Sequence, residues 1–307
     1  MYETADLKAK FKLFIYMLGA LPVNFVLNYI FIFGKLGMPA LGGIGAGFAT
    51  ALTYWFVCIV IIIICLKLRV FHPFQLFRKM ERPKVCDWVE QLKIGVPIGF
   101  AIFFETSLFS AVTLLMSAYS TSTIAAHQSA MNFTSLLYML PLSVGMALTI
   151  AVGFEVGAKR LDHARNYTKI GLYGGLFIAV FTGTMLYLFN GTVASLYHTD
   201  PDVIELTKQF ILFAIFYQLA DATAAPIQGV LRGYKDVNVT LVIALVSYWL
   251  IGLPTGWILA NYTSLEPFGY WIGIIVGLST GAIALFVRLQ FVQKKFELNI
   301  LEQNNHS

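Results

Sequence analysis

Long apolar runs separated by short polar connections fill most of the chain. They fall at roughly 13–33, 41–66, 94–117, 124–152, 170–189, 206–230, 238–260 and 268–287. A helix needs about 20 apolar residues to cross some 30 Å of hydrocarbon, and these runs are of that length. Barrel strands would be about half as long and would alternate in polarity. The pattern therefore predicts an all-α polytopic membrane protein with about eight transmembrane helices. The first run leads straight into further spans, so it reads as a span and not as a cleavable signal.

The connections alternate in charge. The N-terminus, 67–93, 153–169, 232–237 and the tail from Arg288 hold 3, 7, 4, 2 and 3 Lys or Arg, which is 19 of the 21 in the chain. The intervening connections hold only Lys35, and Lys208 enters the sixth span. Lys and Arg collect on the cytoplasmic side, so both termini are expected there. The same asymmetry explains the net charge of +5 without nucleic acid. The composition, 58% hydrophobic and 12% charged, only reinforces the membrane class. Three cysteines, Cys58, Cys65 and Cys86, form no CxxC pair and no metal-ligand spacing.

The break at 67–93 is the longest. Its basic clusters, Pro73 and Pro83 mark a boundary between bundles, with an amphipathic segment lying on the membrane surface. The first two and last two spans also share a plan: a proline-bearing span, a short outer turn and a Gly-rich span. Parallel repeats with a binding site between them recur in transporters, and Gly-rich helices also pack closely for structural reasons alone.

Two acids stand out. Asp221 sits near the middle of 213–233, with Tyr217 four residues earlier on the same face. Glu105 is the other acid deep in a span. It lies 12 residues after Lys93, and Asp221 lies 11 residues before Arg232. Those spacings correspond to about 18 and 16 Å of helix rise from the basic end. A carboxylate at such depth normally faces protein or a water-filled cavity. Two readings stand: a cation or proton site in a cavity, or two structural acids bonded to neighbouring helices.

Asn24 and Asn28 share a face of the first span, where helix–helix bonding is the common use of Asn. Gln128 and Asn132 repeat that spacing in the fourth, beside His127, which is expected to be solvated near a helix end. Pro97, Pro141, Pro226 and Pro254 lie within spans and are expected to kink them or to be tolerated there. No phosphate loop, HExxH, GxSxG or Cys/His pair is present, so the chain is not read as an enzyme. With no nucleotide-binding domain, uphill transport would have to run on an ion gradient.

Several consecutive motifs resemble the MATE (multidrug and toxic compound extrusion) family, in its NorM-like bacterial branch. They are PVNFVLNYIFIFGKLGMPALGGIGAG, GVPIGFAIFFETSLF, the stretch around AAHQSAMN, and YQLADATAAPIQGVLRGYKD. The resemblance implies an exporter of organic cations in exchange for Na⁺ or H⁺, with no cofactor beyond the coupling ion, in a bacterial inner membrane. Family members have twelve spans in two six-helix lobes around a central cavity. By motif, residues 1–66 resemble the end of the N-lobe, 67–93 the cytoplasmic linker, 94–295 a complete six-helix C-lobe, and 296–307 a cytoplasmic tail.

The resemblance also assigns roles. Glu105, Tyr217 and Asp221 match the cation-coupling set, with Glu105 and Asp221 holding Na⁺ if sodium is the coupling ion. Asn24, Asn28 and Gln128 match positions that line the substrate cavity. The family's first four spans have no counterpart here, which implies a truncated chain or a lobe completed by another molecule. Besides organic cations, the expected partners are membrane lipids and those missing helices. The competing readings are a lipid or lipid-linked precursor flippase, an intramembrane acid–base enzyme and a non-transporting fragment.

Overall fold

The computed structural model describes residues 18–67 and 84–305, with side chains up to Leu298. Among these residues it has eight helices and no strand: α1 (Ala20–Phe33), α2 (Gly43–Lys67), α3 (Val85–Met116), α4 (Thr121–Gly157), α5 (Leu161–Tyr197), α6 (Pro201–Gly233), α7 (Val237–Tyr262) and α8 (Pro267–Asn305). One helix coincides with each apolar run. The helices from α3 to α8 are longer than the runs, because their ends continue past the apolar stretch as polar helix. α3 starts at Val85, ahead of the expected start at 94, with Asp87 in its first turn, where the helix dipole favours an acid. α8 runs past the expected end at 287, through what the sequence presented as tail. Residues 68–83, the middle of the expected linker, lie outside the described residues, as do the two termini.

The chain divides into two compact units, Met1–Lys84 and Val85–Ser307. In the first, α1 packs on α2. α1 ends at Gly34, whose φ of +66° is the left-handed region that Gly adopts most readily. Its N–H caps the carbonyl of Ile30. Asn28 donates to Asn24 Oδ1 at 2.8 Å, and Asn24 donates to Thr53 Oγ1 of α2 at 3.0 Å. This ladder is the helix-joining role expected from the spacing.

In the second unit α6 is the central post. It packs against α4, α5 and α8, and 67% of its apolar stretch is buried, more than in any other described span. Its N-terminus is capped by Asp200, which accepts from the Asp202 N–H at 3.0 Å, with Pro201 in the first turn. α4 comes closest to it, and glycine makes that approach possible. A Cβ on Gly145 would lie 2.6 Å from Ala225 O, and one on Gly229 would collide with Gly145 O.

Pro97, Pro141 and Pro226 sit inside continuous α-helix, the tolerated outcome of the two expected. Pro254 does alter its helix. It has no N–H to give, and the residues before it, Leu245–Gly252, widen into a π-helical turn in which Leu253 N–H reaches Tyr248 O. This turn directs Ser247 and Tyr248 inward, both almost fully buried.

The second unit's core centres on Phe210, Trp271 and Tyr248, while Ile150, Phe177 and Phe216 project outward. Large apolar side chains on the outer surface suit a lipid surround. Ion pairs gather where the basic connections lie: Arg165–Glu297 at 2.6 Å, Arg288–Asp236 at 2.7 Å and Arg160–Glu155 at 2.7 Å.

Candidate functional site

α6 turns one face to the interior. Tyr217, Asp221 and Gln228 follow along it at i, i+4 and i+11, and all three are buried. α3 brings in Glu105, 9% exposed, and α7 brings in Tyr248 through its widened turn. α4 contributes Tyr138, whose hydroxyl donates to Glu105 Oε1 at 2.9 Å. Gln228 Nε2 donates to Glu105 Oε2 at 3.3 Å. Arg232, one turn further along α6, donates to Gln228 Oε1 at 3.2 Å.

Asp221 is 4% exposed. Tyr138, Glu105, Gln228 and Arg232 thus form one hydrogen-bonded chain inside the second unit, with Asp221 buried on the same helix as Gln228. Chemically this is a set of hard oxygen donors suited to a proton or to a small monovalent cation. No group of three or more His, Cys, Asp or Glu able to hold a metal ion occurs among the described residues.

Glu105 bonds Gln228, which lies seven residues, about 10 Å of helix rise, nearer the Arg232 end of α6 than Asp221 does.

Tyr217 is buried beside Asp221, its ring packed against Phe109 and Trp271 at 6.0 and 5.9 Å. The hydroxyl that reaches Glu105, however, is Tyr138's. Gln128 lies elsewhere, exposed in a groove of about 440 Å³ between α3 and α4, with Thr113, Asn132 and Ser135. Asn24 and Asn28 belong to the first unit, where they bond α1 to α2.

His127 is not solvated. It is fully buried, with Trp271 Nε1 donating to its Nδ1 at 3.2 Å and Thr113 Oγ1 3.1 Å from its Nε2. Indole nitrogen only donates, so Nε2 carries the ring proton and gives it to Thr113, which passes its own to Phe109 O. A larger cavity, about 780 Å³, opens between α5, α6 and α8, but it is lined by residues such as Lys169, Leu172 and Phe286 and not by either acid.

Sequence reasoning did not single out Tyr138, Gln228, Arg232 or Tyr248. Gln228 had a signal, since it lies seven residues after Asp221 on the same face. Tyr138 and Tyr248 had none, because each acquires its partner from another helix.

The sequence model of the MatE family matches residues 97–258. The probable multidrug resistance protein NorM of Oceanobacillus iheyensis is 70% identical over 281 residues, 92% of this chain. The protein of the same description from Bacillus subtilis is 58% identical over 91% of the chain. The chain spans 63% and 62% of the length of these relatives. Among solved structures, the MATE transporter NorM-NG, in a complex that includes a monobody, superposes with a TM-score of 0.78 at 34% identity. That match covers 95% of this chain and 63% of that one. The eukaryotic MATE transporter AtDTX14 gives 0.81 at 22% identity, covering 92% and 63%, a likeness of fold.

Proposed function

The chain belongs to the MatE family, and on that premise we propose that it acts in export of organic cations, coupled to Na⁺ or H⁺ entry at Glu105 and Asp221. Family members are secondary transporters, not enzymes, and need no cofactor because an ion gradient drives them. The observation that carries the reading is the burial of two acids on neighbouring elements of one unit. They come from separate helices, α3 and α6, and those helices are joined by the bond from Gln228 of α6 to Glu105 of α3. Two ionised carboxyls so placed repel each other and are poorly solvated, so a bound proton or Na⁺ relieves both penalties. An organic cation drawn to the same negative field competes with that ion, and competition at one field is what exchange requires.

Tyr217, Tyr138 and Gln228 complete the ion site in this proposal. Gln128, in its exposed groove, and, separately in the first unit, Asn24 and Asn28 are proposed to contact the larger cargo. Export itself is proposed to need helices equivalent to the part of the relatives that this chain does not span. The distribution of Lys and Arg supports a bacterial inner-membrane protein with both termini in the cytoplasm.

The test is equilibrium binding of a fluorescent lipophilic cation to the purified chain, by polarisation, with Na⁺ and pH varied separately. The proposal expects Na⁺ or acid to displace the dye, and Glu105→Gln or Asp221→Asn to blunt that displacement. Displacement unchanged in both variants would contradict it.

A further inference from the structure

α5 and α8 each pack along α6 but touch each other little. They are tied together at their basic end. Arg165 of α5 donates twice to the Glu297 carboxylate of α8, at 3.0 and 2.6 Å, and Gln293 of α8 donates to Thr168 Oγ1 at 3.4 Å. The cavity of about 780 Å³ begins at this tie and runs on between the two helices, with buried Ile227 of α6 beneath it.

The groove changes character along its length. Lys169, one turn after Arg165, is exposed and has no ion-pair partner among the described residues. Glu297 already answers Arg165, so Lys169 leaves one uncompensated positive charge at the basic end. Leu176 lies seven residues further into the span on α5, and Phe286 lies seven residues in from Gln293 on α8. Seven residues rise about 10 Å, most of one leaflet of a hydrocarbon core some 30 Å thick. Leu176, Phe286 and Ile283 are exposed walls of the groove, so its deep part opens sideways to hydrocarbon and not to water.

We propose that this groove binds one phospholipid of the phosphatidylglycerol type, with its phosphate at Lys169 and an acyl chain along Leu176, Ile283 and Phe286. A basic pocket between spans at headgroup level is the arrangement that recognises anionic lipids. A zwitterionic headgroup fits less well. It brings an ammonium of its own, and Glu297, the carboxylate at this end, is already held by Arg165 through both oxygens. A glycerol headgroup brings hydroxyls instead, and Tyr173 and Gln290, both exposed on the groove, offer them partners. Neither Glu105 nor Asp221 lines the groove, so the inference does not depend on the ion-coupling reading.

The test places a reporter on the groove wall by Phe286→Trp. The chain is reconstituted in vesicles of equal parts phosphatidylglycerol and phosphatidylethanolamine, with bromine on the acyl chains of one lipid or of the other. Bromine quenches indole on contact, and the chain without the added indole, measured in parallel, removes the signal of the existing tryptophans. Quenching should report about fivefold greater occupancy by phosphatidylglycerol, the worth of one Lys at a lipid surface. Adding Lys169→Gln should bring the ratio close to one. Adding Lys93→Gln, which removes an exposed charge in another basic connection, should leave it unchanged. Ile283→Trp, at a more exposed wall position, is the second reporter if Phe286→Trp fails to fold. Equal occupancy by the two lipids with Lys169 in place, or equal loss in Lys169→Gln and Lys93→Gln, overturns the proposal. Quenching by neither lipid, the sign of a protein segment or a second copy seated in the groove, overturns it too.

Discussion

Replacing Gly145 by Ala is expected to separate the two helices that hold the site together. A Cβ there would stand 2.6 Å from Ala225 O and 3.1 Å from Ala225 C, while ordinary contact starts at 3.4 Å. The shortfall to the oxygen is about 0.8 Å. Both atoms are backbone of α6, which cannot swing aside as a side chain would, so α4 and α6 must part. Overpacking of this kind costs about 1–3 kcal/mol, offset by up to about 1 kcal/mol because Ala is the better helix former. The net expectation is a loss of about 1–2 kcal/mol, a few degrees in the midpoint of thermal unfolding for a unit of this size. Gly99 of α3 is the control. Nothing lies within 4 Å of its would-be Cβ, so Gly99→Ala should be neutral or stabilising. The assay is thermal unfolding in detergent followed by intrinsic fluorescence. Because Tyr138 lies two turns before Gly145 on the same helix, Gly145→Ala should also weaken the Tyr138 bond to Glu105. Native stability in Gly145→Ala, or equal losses in both variants, would refute the close approach of α4 to α6.

Two other outcomes are expected. Trp271→Phe leaves the Nδ1 of buried His127 without its donor and should cost about 1–3 kcal/mol, and the same change made in a His127→Phe chain should cost less. Cys86 is exposed at the start of α3, in the connection expected on the cytoplasmic side. In a chain with Cys58 and Cys65 replaced by Ala, a membrane-impermeant thiol reagent should label it in inverted vesicles, and labelling in intact cells would contradict the topology.

The number and order of helices was legible because hydrocarbon imposes a length on every span. The centrality of α6 was legible as well, since a helix that carries one acid amid apolar and small residues turns most of its surface to protein. Tyr217 and Asp221 could be paired because helical spacing alone puts them on one face. Glu105 stood out as a lone deep charge, but its bonds to Tyr138 and Gln228 could not be read, because the rise along one helix says nothing about how its neighbours are placed. Tyr138, Gln228 and Tyr248 escaped because single polar residues gain meaning only from the helix they meet. His127 was misjudged for the same reason: Trp271, far along the chain, covers it. Which prolines would be tolerated was not legible: helix continues through Pro97, Pro141 and Pro226, and a π-helical turn precedes Pro254.

The central claim is that Glu105 and Asp221 form one ion site. It is tested most directly by thermal stability of the chain in detergent across Na⁺ concentration and pH, for the native sequence and for Asp221→Asn. An ion that binds only the folded state stabilises it by about 2.7 kcal/mol at one hundred times its dissociation constant. The account predicts that unfolding of the native chain shifts upward with Na⁺ or with acid, and that Asp221→Asn, already relieved of the repulsion, shifts much less. Equal dependence on Na⁺ and pH in the two chains would contradict it.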